Sequence, residues 1–283
     1  MVKPAAYRHA VGFVQAEMKL SVRQSCRALG FARSSLTYES TRQQPAGLLD
    51  RMKALAVARP RFGYRRLHTL LGREGFNVNH KRVYRLYRLE GLSVRKKARR
   101  KLPGHVERTV LPPPTRPNER WSMDFTSDAT ASGRRFRTFN VVDDFTRECL
   151  AVYVDTSISG HRVARLLAEL VVARGRPQLI VNDNGPEFIS RAMDRWAYEN
   201  GVKLHFIRPG KPTENAFIES FNGRFRDECL DQHWFLGLAD ARAKVAEWVT
   251  DYNEVRPHSS LGGLAPKEYA AKFNNPGLTL RVA

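Results

Sequence analysis

Leu179-Ile180-Val181-Asn182-Asp183-Asn184-Gly185-Pro186-Glu187-Phe188 decides how this 283-residue chain is read. Its first three residues are a short apolar run of the kind found in strands buried on both faces. Asn182 through Pro186 is turn chemistry: amide and carboxylate side chains bond nearby backbone, and glycine and proline punctuate the chain. Beyond it a helix is predicted over 186–200. Asp183 therefore stands just past the end of a buried strand. An aspartate there is often only a turn former or a helix cap, so its surroundings must decide its role.

Upstream, Ser159 can cap a helix with Val163, Leu166, Leu167, Leu170 and Val171 on one side, ending at Gly175-Arg176-Pro177. Before that lie three strand candidates. Trp121, Met123 and Phe125 alternate with Ser122, Asp124 and Thr126, a strand with one apolar face. Residues 136–142 and 149–154 are the next two, with Asp143-Asp144 in a hairpin-like turn between them. Downstream, a fifth strand over 202–207 leads to a long helix beginning near Thr213. Three strands in meander, then helix, strand, helix, strand, helix, is the order of an α/β ribonuclease-H-like core. In such a sheet the first and fourth strands are neighbours, so Asp124 and Asp183 converge near one end. The last helix lays Glu219 across the same edge. On that helix Phe217, Phe221 and Phe225 recur every four residues and are predicted to form the buried stripe. Asn215, Glu219, Asn222 and Arg226 fall on a different, polar stripe.

Three carboxylates gathered at one edge repel one another by several kcal/mol unless a cation or a proton relieves them. Hard divalent ions take oxygen ligands, and two of them about 3.5–4 Å apart serve phosphodiester exchange by activating the attacking oxygen and stabilising the leaving one. No histidine or cysteine cluster accompanies the acids, which favours Mg²⁺ or Mn²⁺ over Zn²⁺. Asp143 and Asp144 are rival carboxylates and are read as turn residues or support for the site.

Charge separates the chain into parts. The sequence has 48 Lys+Arg against 28 Asp+Glu, a net of +20. Residues 1–118 hold 26 basic and 6 acidic residues, whereas residues 119–283 hold 22 of each. Such asymmetry points to a polyanion, nucleic acid before membrane surface, as the partner of the first segment. No apolar run is long enough to span a membrane, and no secretory signal is expected at the N-terminus. Cys26, Cys149 and Cys229 are widely spaced, which argues against a disulfide framework and suits a reducing cytosol.

Residues 1–42 read as an all-α helix-turn-helix. Ser21 caps a helix over 22–29 with Cys26, Ala28 and Leu29 available for a core, Gly30 ends it, and Arg33, Ser34, Ser35 and Tyr38 open or line the second helix, placed for a DNA groove. Residues 45–94 read as a second helical, helix-turn-helix-like unit. Leu48, Met52, Leu55 and Ala56, then Leu67, Leu70 and Leu71, form apolar stripes. Asn79 caps a last helix in which Val83, Leu86 and Tyr87 form one face. Lys81, Arg82, Arg85 and Arg88 lie largely off that face and are expected to meet DNA phosphates. A basic, proline-rich linker over 95–118 follows, carrying Arg95, Lys96, Lys97, Arg99, Arg100 and Lys101. The catalytic core is assigned to 119–230 and a helical extension of it to 231–283. Asn215, Asn222 and Arg226 are expected to touch DNA beside Glu219.

Trp121-Ser122-Met123-Asp124-Phe125-Thr126, Asp183-Asn184-Gly185-Pro186-Glu187-Phe188 and Glu214-Asn215-Ala216-Phe217-Ile218-Glu219-Ser220-Phe221-Asn222-Gly223 resemble the three blocks of an integrase-type DDE transposase. The 35 residues between Asp183 and Glu219 match the D,D(35)E pattern, and Arg226 fills the basic position seven residues later. Tyr252-Asn253-Glu254-Val255-Arg256-Pro257-His258-Ser259-Ser260-Leu261-Gly262 resembles the tail block of the insertion sequence 3 family. The N-terminal helix-turn-helix and the region over 61–92 resemble that family's second-reading-frame product, so the likeness covers nearly all of the chain. The resemblance implies an enzyme that cuts one strand at each element terminus and uses the freed 3′-hydroxyl to attack another phosphodiester, with no covalent protein–DNA intermediate. It implies Asp124, Asp183 and Glu219 as catalytic and metal-binding residues, with two Mg²⁺ or Mn²⁺ ions. The implied partners are the element's terminal repeats, target DNA, further copies of the chain on DNA, and an upstream-frame product or its frameshift fusion. No leucine heptad run occurs, so the chain reads as the catalytic half of such a fusion. The expected location is the bacterial cytoplasm, on the nucleoid when DNA is bound.

Two other readings stand beside this one: a non-catalytic DNA-binding regulator or decayed copy, and a ribonuclease-H-like nuclease. A decayed copy is expected to have lost an acid, and all three are present. Tandem DNA-binding units suit an enzyme that must recognise specific ends.

Overall fold

The computed structural model describes residues 4–37, 46–94, 111–208 and 212–274; Tyr38 and the run Arg95, Lys96, Lys97, Arg99, Arg100 and Lys101 lie outside them. The chain divides into two units, Met1–Ala46 and Gly47–Ala283.

In the first unit a helix with no counterpart in the sequence expectations, α1 (Pro4–Met18), precedes α2 (Val22–Ala28) and α3 (Arg33–Thr37). Ser21 forms the expected cap as a reciprocal box: its hydroxyl accepts the Gln24 N–H while the Gln24 side chain accepts the Ser21 N–H at 3.0 Å. Gly30 turns the chain at φ 62°, a left-handed conformation that glycine adopts without strain. Val11 and Cys26 are buried and Tyr7 stacks on Phe31 at 4.8 Å. Ala28, expected in the core, is exposed. Cys26 is buried as expected, Ser25 is buried beside it, and Leu29, past the end of the helix at Ala28, is half-buried.

The second unit begins with α4 (Leu48–Ala58), α5 (Tyr64–Arg73) and α6 (His80–Leu89). Leu48, Met52, Leu55, Leu67, Leu70, Leu71, Val83, Leu86 and Tyr87 close one apolar core, to which Phe62 adds and Val255 packs. Asn79 caps α6, its side chain accepting the Lys81 N–H at 2.8 Å.

The sheet follows: β1 (Arg120–Ala129), β2 (Arg135–Asp143) and β3 (Cys149–Asp155) form an antiparallel meander. After α7 (Gly160–Arg174), β4 (Leu179–Asn182) joins β1 in parallel; after α8 (Arg191–Asn200), β5 (Lys203–Phe206) joins β4 in parallel. The order is β3-β2-β1-β4-β5. Then come a 3₁₀ turn (Pro212–Asn215), α9 (Ala216–Glu228), α10 (Leu238–Glu254) and α11 (Pro266–Asn274). The helix expected over 186–200 starts only at Arg191, because Ser190 caps it by accepting the Met193 N–H.

Both sheet faces are covered. Trp121, Met123, Phe139, Val141 and Ile180 pack against α7 and α8 through Val163, Leu167, Met193 and Trp196. Phe136, Val142, Cys149 and Val154 pack against α9 and α10 through Ile218, Phe221, Phe225, Val245, Trp248 and Tyr252. The strand β1, expected to have one apolar and one polar face, is thus central, with Ser122 and Thr126 buried as well. The stripe on α9 is also shifted: Ile218 is buried where Phe217 was expected, and Phe217 is half-buried.

The segment over 47–94 is fastened to the C-terminal helices. Arg59 pairs with Asp251, Arg61 with Asp227 at 3.1 Å, Arg66 with Glu228 at 2.9 Å, and Arg73 with Glu268 at 2.6 Å. The block around Tyr252 completes the joint. The Asn253 amide satisfies both backbone groups of Cys149, accepting its N–H at 2.9 Å and donating to its carbonyl at 2.8 Å. Arg256, almost wholly buried, makes two 2.6 Å bonds to Glu228.

His258 is buried beside that guanidinium, its Nε2 3.3 Å from Arg256 Nη1. Burial, together with the charges of Arg256, Arg224, Arg66 and Arg147, pushes its pKa down to about 2. The unfolded chain takes up a proton at this position below about pH 6.5 and the folded chain does not. Stability from this group is therefore complete above that pH and falls as pH drops, by up to ~1.4 kcal/mol per unit. Asp124 and Asp144 titrate in the opposite sense, so the difference between wild type and His258→Phe isolates the histidine. In urea unfolding, the variant is expected to lose less stability than wild type between pH 7 and pH 5; equal losses would refute the neutral, buried imidazole.

Candidate active site

Asp124 lies in the middle of β1, opposite Asn140 of β2. In the parallel register of β1 and β4, Ser122 faces Val181. Two residues further along each strand are Asp124 and Asp183, so the two acids come level, Asp183 one residue past the end of β4. The strand stops there because the Asp183 carboxylate turns back to accept the Gly185 N–H at 3.0 Å. Asn184 ties the same turn to β5 by donating to the Ile207 carbonyl at 2.8 Å. Arg137 pairs with Glu187 and lies 4.2 Å over the Phe125 ring, which stacks on Phe188. The loop after Asp183 is thereby clamped to the sheet.

Glu219 sits in the first turn of α9, exposed, where a helix N-terminus favours negative charge. Its helix is joined directly to Asp124: Asn222 Nδ2 donates to Asp124 Oδ2 at 2.8 Å. Asn140 Nδ2 in turn donates to Asn222 Oδ1 at 2.8 Å and to Thr126 Oγ1 at 3.0 Å. The other Asp124 oxygen accepts the Phe125 N–H at 2.7 Å. Burial raises the Asp124 pKa to about 6; the charges of Asp183 and Glu219 add to the rise, and the bonds from Phe125 and Asn222 oppose it. Glu219 is raised too, by the partial desolvation of its carboxyl. The three acids therefore share one electrostatic environment.

Among the described residues no three histidine, cysteine, aspartate or glutamate side chains form a ready metal cage. The donor chemistry nonetheless fits a hard divalent ion: the groups meeting here are carboxylates, and the half-buried Asp124 is penalised for its charge by burial and by two like neighbours.

The first turn of α9 is held by Arg120 and Arg147, to which the sequence pattern assigns no role. The Phe217 ring lies 3.9 Å from the Arg147 guanidinium and 5.2 Å from that of Arg120. Cation–π attraction at this distance explains why Phe217 leaves the buried stripe. Asp144, wholly buried, pairs with Arg120 at 2.5 Å, and burial pushes its pKa up to about 6. Asp143 accepts the backbone N–H groups of Asn118, Phe145 and Thr146 at 2.7, 2.9 and 2.7 Å. Both act as turn and support residues. Arg208 Nε meets Glu214 at 2.6 Å, tying the exit of β5 to the approach to α9.

Asn215 was expected to face DNA and does not. It belongs to the 3₁₀ turn, with φ −110° and ψ 35°, and so is off the helical stripe; it is buried and its amide points to the Met123 carbonyl at 3.4 Å. Both ends of the Asn222 amide are engaged by Asp124 and Asn140, which makes it an orienting group. Arg226 is exposed on α9, Arg33 and Ser34 are exposed and Ser35 half-buried on α3, and Lys81, Arg85 and Arg88 are exposed on α6 with Arg82 half-buried. Asn140 had one signal in the sequence, an amide between Phe139 and Val141 in the apolar half of its strand.

Residues 114–212 match the family model described as integrase core domain, residues 200–266 match a second with the same description, and residues 44–101 match an HTH-like domain. The uncharacterized 31.7 kDa protein of insertion element IS407 from Burkholderia multivorans is 53% identical over 261 residues, 92% of this chain and 94% of that protein. The transposase InsF for insertion sequence IS3A from Escherichia coli is 28% identical over 284 residues, 90% of this chain and 96% of that protein. The chain belongs to the insertion sequence 3 family of transposases. It is a polynucleotidyl transferase of the DDE type with an integrase core. A chain of the simian T-cell lymphotropic virus intasome, solved in complex with the PP2A regulatory subunit B56 gamma, shares the transposase's fold with a TM-score of 0.50 at 15% identity, over 81% of this chain and 76% of that one. Among the described residues of the transposase no helix is long and apolar enough to cross a membrane.

Proposed function

We propose that Asp124, Asp183 and Glu219 form the catalytic centre of this transposase and hold two Mg²⁺ or Mn²⁺ ions. The observation that supports this reading best is Asp124 itself, a half-buried carboxylate level with Asp183 on the neighbouring parallel strand, its pKa raised partly by the charges of Asp183 and Glu219. Asn222 and the Phe125 N–H fix the two oxygens of Asp124. When bound, the ions would activate the attacking oxygen and stabilise the leaving one.

The reaction has two displacements. In the first, water attacks a phosphodiester at the element end and a 3′-oxygen leaves as hydroxyl. In the second, that 3′-hydroxyl attacks a phosphodiester of target DNA, displacing its 3′-oxygen, so one phosphodiester forms as one breaks. Arg226, exposed on α9 one turn beyond Asn222, and Lys81, Arg85 and Arg88 on α6 supply positive charge for the DNA backbone. Arg33, Ser34 and Ser35 on α3, in the first unit, are assigned to end recognition. Assembly of several copies on the element ends, with or without an upstream-frame fusion partner, belongs to this reading.

Labelled DNA carrying the element terminus is expected to be cut and joined to a second duplex with Mg²⁺ or Mn²⁺, and neither product should form in a chelator. Equal products in the chelator would overturn the metal-dependent mechanism. Cleavage of an RNA–DNA hybrid without joining would favour a nuclease.

A further inference from the structure

Between α5 and α6 on one side and α9 with residues 256–263 on the other runs a cleft of about 750 Å³. Its walls include Arg65 and Tyr64 of α5, Tyr84 and Arg88 of α6, and Arg224 of α9. At its floor Arg66 and Arg256 share one carboxylate, Glu228, while the Arg224 guanidinium donates to the Ser220 carbonyl of its own helix at 3.2 Å. Three guanidiniums thus face a single acid. Burial and the Arg256 charge lower the pKa values of Arg66 and Arg224, so the cluster is short of negative charge as it stands. Arg65 and Arg88 are exposed on the cleft wall, and Tyr84 shows about half of its surface (46%).

The cleft has an outlet. A smaller cavity of about 260 Å³ shares Arg224, His258 and Ser260 with it and continues along Ala216, Phe217 and Ser220 of α9. Glu219 stands on that helical turn but on the other polar stripe, with Asn222 and Arg226, so a strand leaving the cleft crosses the exposed face of α9, over Ala216, Ser220 and Gly223, to reach it. An electropositive groove with aromatic faces, far larger than a single phosphate, matches the chemistry of a nucleic-acid strand: guanidiniums for phosphates, ring faces for bases.

We propose that this cleft binds a DNA strand by its phosphodiester backbone and directs it across the exposed face of α9 toward the acids, with Arg65, Arg88 and Arg224 on phosphates and Tyr84 against a base. The inference deepens the strand-transfer reading and rests on it for the direction of the strand. A duplex would place one backbone here; a frayed or displaced strand would also use the tyrosine.

Binding can be measured apart from chemistry, with Asp183→Asn protein in a chelator and fluorescein-labelled duplex or single-stranded DNA of arbitrary sequence, because backbone contacts do not depend on sequence. Arg65→Gln with Arg88→Gln, both exposed positions, is expected to weaken binding about tenfold and to flatten the slope of log K against log salt by about 0.7–0.9 per lost phosphate contact. Arg224→Gln should flatten it further. Tyr84→Ala should weaken single-strand binding about tenfold, leaving the slope unchanged. Arg165→Gln, on the exposed face of α7, should change neither. An unchanged slope and affinity in the Arg65/Arg88 pair would overturn the cleft even if wild-type strand transfer were intact. A flattened slope in a protein whose wild type joined no DNA would keep the cleft and overturn the catalytic reading instead.

Discussion

Asp183→Asn is expected to lower both end cleavage and strand transfer at least ~1000-fold, which corresponds to about 4 kcal/mol of transition-state stabilisation, within the several kcal/mol a bound metal supplies. The substitution is nearly silent for the fold. The Asp183 side chain has one structural duty, accepting the Gly185 N–H at 3.0 Å, and an asparagine carbonyl can do the same. What it removes is one negative charge at the edge where Asp124 and Glu219 meet. Melting temperature and DNA affinity should therefore stay close to wild type while both products vanish from the labelled-end assay. Asp124→Asn tests the same centre less cleanly, because Asp124 is also the acceptor for Asn222 and so helps to hold α9 on the sheet. Full strand transfer by Asp183→Asn would show that the acids are structural, whatever their arrangement.

The elements that place the acids were legible because they depend on local pattern. The apolar run of β4, the turn residues after it and the alternation in β1 give the succession of elements. The ribonuclease-H-like order of those elements makes the first and fourth strands neighbours, and the parallel register then makes Asp124 and Asp183 level. Contacts set by tertiary partners were not legible. Phe217 and Ile218 are both apolar, and which one goes inward depends on Arg120 and Arg147 waiting for an aromatic ring. Asn215 follows the stripe in sequence but falls in a 3₁₀ turn, where helical spacing no longer applies. Charge was legible as a sum and misleading as a boundary. The excess of positive charge ends near residue 118, yet the packing divides at Ala46 and Gly47. Arg59, Arg61, Arg66 and Arg73 belong to the basic segment by count, but they are spent on Asp251, Asp227, Glu228 and Glu268 of the neutral one. Counting cannot separate a guanidinium that meets phosphate from one that meets carboxylate.

Glu228 is where that distinction carries the largest energetic consequence. Its side chain is 8% exposed and that of Arg256 is 2% exposed, and the two make a pair of 2.6 Å bonds, with Arg66 adding a third at 2.9 Å. Burial alone would push the Glu228 pKa up, but Arg256 and Arg66 hold it below the ordinary carboxylate range, so it remains charged. Glu228→Gln would leave the buried Arg256 cation facing a neutral amide. Removing one partner of a buried pair costs about 3–5 kcal/mol, a large share of the 5–15 kcal/mol that holds a typical domain together. At about 2–4 °C per kcal/mol for a unit of this size, melting should fall by roughly 6–20 °C. The exposed pair Lys267–Glu254 provides the contrast, since Lys267→Ala should cost no more than ~1 kcal/mol. Glu228→Gln combined with Arg256→Met should recover part of the loss, because the most deeply buried of the cations on Glu228 would be gone, leaving Arg66, whose side chain is 29% exposed, to find water. A drop in Glu228→Gln as small as that in Lys267→Ala would mean that water reaches the pair and that the joint between α5, α9 and the C-terminal block is loose. With Glu219 in the proposed centre, catalysis is tied to the same joint: Glu228 is nine residues beyond Glu219 on α9, about 13.5 Å along one helix. A displacement of its C-terminal end would therefore reach the acid at the other end, and strand transfer by Glu228→Gln should decline at temperatures where the protein is still folded.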